Sequence, residues 1–127
     1  MSAKILVIDD ERTVCKSCEK ILKEKYDVII TLSGREGLDR LLQEDFDLVL
    51  VDLKMPDMDG MELVKIIRQQ RPNAEVVIMT GYSTVDTAVE GMKLGAAEFI
   101  SKPFTPDEML TAVEEVLKKK GREIPLR

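Results

Sequence analysis

The chain has 127 residues, 44% hydrophobic and 34% charged, the size and balance of one globular domain with a real core. Its net charge of −5 disfavours nonspecific nucleic-acid binding, and no apolar run approaches the ~20 residues of a membrane span. Histidine is absent, which removes the commonest general base and metal ligand, and with them hydrolase triads and nitrogen-ligated zinc sites.

Met1-Ser2-Ala3-Lys4 leads straight into a strand-like run at 4–8 with no signal peptide, so a cytoplasmic protein is expected. Asp9-Asp10-Glu11 follow that strand. Helix one is predicted over 12–24, its apolar positions Val14, Cys18, Ile21 and Leu22 at helical spacing. Cys15 and Cys18 form a Cys-x-x-Cys, but inside this helix Cys18 reads as a small core residue and Cys15 as its flank, not as a redox pair. Residues 27–31 hold a second strand, and Ser33-Gly34 open a helix to about 44 with Leu38, Leu41 and Leu42 on one face.

The apolar run 47–52 is a third strand, buried on both faces and ended by Asp52. The turn-rich stretch Met55-Pro56-Asp57-Met58-Asp59-Gly60 passes the chain to a helix over 61–70, stopped by Pro72. The fourth strand, 75–79, ends at Thr80-Gly81. Helix four, 84–94, places Val85, Ala88, Val89 and Met92 on one face. A short fifth strand, 97–100, is closed by Ser101-Lys102-Pro103. The last helix starts at Thr105-Pro106 with acids in its first turn and carries Met109, Leu110, Val113, Val116 and Leu117 as its buried stripe. Residues 1–120 are read as one domain, and 121–127 as a tail or the start of a linker.

Five strands alternating with five helices predict an α/β fold, a flavodoxin-like doubly wound parallel sheet of order 2-1-3-4-5. In that order strands one and three are neighbours, so Asp9, Asp10 and Asp52 converge, with Thr80 and Lys102 ending the next strands outward. Three crowded carboxylates repel one another, and a hard divalent cation such as Mg²⁺ relieves this. Asp52 is then a candidate nucleophile for a phosphoryl group, whose peripheral oxygens the metal, Lys102 and Thr80 would stabilise.

Asp9-Asp10, Asp52 with Met55 to Gly60, Thr80-Gly81, and Phe99-Ile100-Ser101-Lys102-Pro103 together resemble the receiver domain of bacterial two-component response regulators, over about residues 4–120. The resemblance implies Asp52 as phosphoacceptor, charged by a sensor histidine kinase or a phosphotransfer protein of a phosphorelay. It implies Mg²⁺ bound by Asp9, Asp10, Asp52 and the Lys54 backbone carbonyl, with Thr80 and Phe99 as the switch. It further implies a cis Lys102–Pro103 peptide and an output surface on helix four, strand five and helix five, facing an output domain or a downstream protein. A phosphorylation-dependent homodimer stays open. The segment around Gly81 to Gly95 is most similar to receivers of transcriptional activators that drive an ATPase domain. Tyr82, two residues past Thr80, is a candidate modulator of dephosphorylation.

Each residue also has a plain alternative: Asp9 or Asp10 as a helix cap, Thr80 as a turn residue, Lys102 as partner of a surface acid, Phe99 as core. Their joint occurrence at the ends of four strands argues against all of these at once. A phosphatase of the haloacid dehalogenase type would need an Asp two residues after the nucleophile. Lys54 stands there, and the nucleophile is on strand three instead of strand one. An unphosphorylated receiver-like binding module tends to lose an acid, the Thr or the Lys, and this chain keeps them.

Overall fold

The computed structural model describes residues 2–81 and 84–122. Five strands, β1 (Lys4–Ile8), β2 (Asp27–Thr31), β3 (Leu48–Asp52), β4 (Glu75–Thr80) and β5 (Glu98–Ser101), alternate with α1 (Arg12–Leu22), α2 (Gly34–Gln43), α3 (Gly60–Gln70), α4 (Val85–Lys93) and α5 (Pro106–Arg122). The strands form one parallel sheet of order β2-β1-β3-β4-β5, as expected. Residues Leu48 to Asp52 are all buried, which is why β3 reads as an unbroken apolar run.

Side-chain alternation splits the core in two. Ile5, Val7, Leu50 and Met79 point to a layer built with α1 and α5. Leu6, Ile8, Val51 and Ile78 point to one built with α2 and α3.

The helix faces depart from simple periodicity. On α1 the buried stripe is Cys15, Cys18 and Leu22, while Val14 and Ile21 are only partly buried. Cys15 is therefore core, not flank; its Sγ lies 3.2 Å from the Asp9 carbonyl oxygen and 3.5 Å from that of Thr31. Burial raises the Cys15 thiol to about 11 and Cys18 to about 12, so both are inert hydrophobes at neutral pH. On α2 the buried residues are Gly34, Gly37 and Leu41, and Leu42 is half exposed. The helix lies so close that a Cβ on Gly37 would come within 2.5 Å of Ile8 Cδ1.

Helix α4 is the outlier. Its only buried residue is Gly91, where a Cβ would stand 2.4 Å from Ile78 Cδ1, and Val85, Val89 and Met92 face solvent. A capping box between Thr84 and Thr87 fixes its start. On α5, Met109, Val113 and Val116 are buried, with Leu110 and Leu117 at the margin, and the helix continues through Gly121 to Arg122. No helix among the described residues is long and apolar enough to cross a membrane.

Candidate functional site

Parallel strands direct their carboxyl ends to one rim, and the adjacency of β1 and β3 opens a crevice there. Asp9 follows β1, Asp52 closes β3 and Thr80 closes β4; all three are buried. Lys102 follows β5, and its backbone N–H donates to the Thr80 carbonyl at 2.8 Å, which ties the two strand ends together. The Lys102–Pro103 peptide is cis, in keeping with the resemblance.

Asp9, Asp10 and Asp52 each bring a carboxylate oxygen within 4.8 Å of the other two. Asp9 and Asp52 are buried and Asp10 is exposed at the mouth. The Glu11 backbone N–H donates to Asp9 Oδ1 at 2.9 Å, and the Lys54 N–H to Asp52 Oδ1 at 3.3 Å. The Lys102 ammonium lies 2.7 Å from Asp9 Oδ2 and 3.6 Å from Asp52 Oδ2. The 2.7 Å contact is ionic but off the line of a hydrogen bond, so the buried Asp9 Oδ2 has no hydrogen-bond partner.

Electrostatics follow from that crowding. Burial, then the neighbouring Asp9, pushes Asp52 up to about 6, against the pull of Lys102. Burial likewise raises Asp9, opposed by Lys102 and the Glu11 N–H. For Lys102 burial works downward, but Asp9, Glu11 and Asp52 outweigh it and its pKa is raised. The ammonium therefore stays charged throughout the physiological range.

These donors suit a hard cation. All are oxygens, three converge on one point, and one buried carboxylate oxygen lacks a hydrogen bond. Mg²⁺, which accepts few protein ligands and keeps waters, fits this set better than a metal that seeks nitrogen or sulfur.

The β3–α3 loop holds Asp52 in place. It folds back so closely that a Cβ on Gly60 would come within 2.4 Å of Leu53 Cα and 2.6 Å of the Asp52 carbonyl oxygen. Asp59 caps α3 through the Met61 N–H at 3.0 Å. Asp57 reaches sideways to the first amides of α2, accepting from Gly34 at 3.1 Å and Arg35 at 2.9 Å. Those bonds hold its carboxyl below the usual range, and the loop is tied to a second helix.

Phe99 is half-buried on β5, packed on the α2/α3 side of the sheet. Lys54 is exposed, with no acid two residues after Asp52 to serve as a hydrolytic base. Tyr82 lies outside the described residues. Sequence reasoning gave Glu11 no role, yet its Oε1 is 3.0 Å from the Lys102 ammonium. A signal existed: glutamate is a poor N-cap, and this one stands at the N-cap of α1 beside an acidic pair. A groove of about 1100 Å³ runs from Asp52 and Lys102 along α1, past Val14, Ser17, Ile21 and Phe104.

The family model described as the response regulator receiver domain matches residues 5–114. The transcriptional regulatory protein ZraR of Escherichia coli is 40% identical over 114 residues, which cover 89% of this chain and 26% of ZraR. The cell cycle transcriptional regulator CtrA of Caulobacter vibrioides is 34% identical over 117 residues, 91% of this chain and 51% of CtrA. The chain thus spans about a quarter to a half of these curated relatives. A CheY-like response regulator receiver domain protein from Methanospirillum hungatei, solved by crystallography, superposes with a TM-score of 0.92 at 34% identity, over 97% of this chain and 99% of that one.

Proposed function

This chain belongs to the response regulator receiver domain family, and from that premise we propose that Asp52 is its phosphoacceptor and that phosphorylation there switches the face formed by α4, β5 and α5. The observation that carries the reading is the buried Asp52 at a strand end, its carboxylate within 4.8 Å of Asp9 and Asp10 oxygens with the Lys102 ammonium beside it.

The donor is a phosphohistidine on a sensor histidine kinase or phosphotransfer protein, which supplies the imidazole this chain lacks. The phosphorus–nitrogen bond breaks as a phosphorus–oxygen bond forms to the Asp52 carboxylate; the imidazole leaves with the electron pair and takes up a proton. Asp52 is ready for this near neutral pH, since a pKa of about 6 leaves it mainly ionised. The groove along α1 opens onto Asp52 and offers Val14, Ile21 and Phe104 as an apolar seat for the donor protein.

Asp9, Asp10, Asp52 and the Lys54 backbone carbonyl would hold Mg²⁺, which when bound neutralises charge between nucleophile and phosphoryl oxygens. Lys102 and Thr80 take the phosphoryl oxygens. Thr80 moving toward them, and Phe99 turning inward behind it, would bias a two-state packing of α4 and β5. The exposed Val85, Val89 and Met92 make an apolar surface for an output domain, a downstream protein or a second copy. Transcriptional output is the reading favoured by ZraR and CtrA, and the cytoplasm is the compartment where such a relay works.

Incubation with acetyl phosphate and Mg²⁺ should add one phosphoryl group, read as an 80 Da mass increase (about the mass of a phosphoryl group). Asp52→Asn or EDTA should abolish it. Full labelling of the Asp52→Asn protein would sink the assignment.

A further inference from the structure

Glu11 occupies the N-cap of α1, yet its side chain makes no capping bond. It turns instead toward the rim, where Oε1 meets Lys102 Nζ at 3.0 Å. The ammonium is thereby held by three carboxylates: Asp9 at 2.7 Å, Glu11 at 3.0 Å and, more loosely, Asp52 at 3.6 Å. Glu11 differs from the other two. It is 60% exposed and takes no part in the converging acid cluster.

Of these three contacts only that to Glu11 has the geometry of a hydrogen bond, so Glu11 is the acid that orients the ammonium. A phosphoryl group on Asp52 would compete with Glu11 for the ammonium's donors. The Glu11 contact is the one that yields most easily, because its exposed carboxylate can turn into water at little loss. We infer that Glu11 is a positioning residue that holds the Lys102 ammonium on the Asp9 side of the site in the resting state and lets it go when Asp52 is phosphorylated.

The inference rests on Asp52 as phosphoacceptor. A contact made in the resting state and absent from the phosphorylated one lowers affinity for the phosphoryl group by the whole of its own worth. For an ion pair with one exposed partner that is about two- to fivefold.

The test measures binding of beryllofluoride, a phosphoryl mimic, in Mg²⁺ by isothermal titration calorimetry on the full chain, with the wild type, Glu11→Gln and Glu11→Asp compared. Glu11→Asp keeps the charge but is one methylene short, and at an N-cap its carboxylate prefers the helix amides. Both variants should bind about two- to fivefold more tightly than wild type. Glu11 is exposed and caps nothing, so both should fold. Tighter binding by Glu11→Gln alone would mean a diffuse charge effect, and unchanged or weaker binding by both would mean no hold on Lys102; either overturns the inference. A wild type that binds no beryllofluoride would instead remove the phosphoacceptor reading and this inference with it.

Discussion

Asp52→Asn should make the metal-free protein more stable while disabling it. The side chain is 5% exposed, and burial with the Asp9 charge lifts its pKa from 3.8 to about 6. The sign follows from linkage. Between those values the unfolded chain has lost the proton that the folded one still holds, so stability falls as pH rises across that window and levels off above it. A shift of about two pKa units corresponds to roughly 3 kcal/mol at neutral pH. The asparagine keeps the shape and can still accept from the Lys54 N–H, but it loses the attraction of Lys102, so a gain of about 1–3 kcal/mol is expected. For a domain of this size that is a rise in Tm of about 4–10 °C. Thermal unfolding by circular dichroism in EDTA measures it, at neutral pH and at about pH 4, where Asp52 is largely protonated and the gap should shrink to under about 1 kcal/mol. An asparagine variant that melts no higher than wild type at neutral pH, or a gap of equal size at both pH values, would refute the reasoning.

Two further outcomes are expected. Asp10→Asn removes a charge at the exposed mouth of the acid cluster, so in EDTA it should melt slightly higher than wild type, by about 1 kcal/mol or less. Added Mg²⁺ should then raise the Tm of wild type much more than that of the variant; a variant that melts lower in EDTA would make Asp10 a structural cap. Thr80→Ala should leave Asp52 open to acetyl phosphate, while the backbone NMR shifts of α4 and β5 that follow phosphorylation diminish; equal responses in variant and wild type would mean that coupling bypasses Thr80.

The strand ends were the most legible part of the sequence, for a physical reason. A parallel sheet covered on both faces demands apolar runs, so an acid such as Asp52 at the end of one is conspicuous. Topology then brought Asp9, Asp10 and Asp52 together without any knowledge of side-chain positions. Helix faces were less legible because glycine carries no hydrophobic signal. Helix α2 approaches the sheet through Gly37 and packs Gly34 on Met58 of the β3–α3 loop, and Leu42 is left half exposed against its expected inward face. On α1 the small thiol of Cys15 takes a place that Val14 would claim by hydropathy, and it lies against the Asp9 and Thr31 carbonyls. Glu11 escaped notice since its function depends on Lys102, 91 residues away in the chain.

The seating of α4 has a thermodynamic corollary. A helix that covered its sheet with leucines would have to wet them in order to move, at about 25 cal/mol for each Å² newly exposed. Here Val85, Val89 and Met92 are already wet, and the one buried residue of the helix is a glycine beside a methyl of Ile78. Sliding or tilting α4 therefore exposes little that was dry, and the two seatings need differ by no more than a few kcal/mol. A signal bound at one rim of the sheet can shift such a balance with modest differential affinity, since about 5.5 kcal/mol suffices to reverse a population from 1:99 to 99:1. The same looseness predicts that backbone amides of α4 exchange with solvent ahead of those in the other four helices.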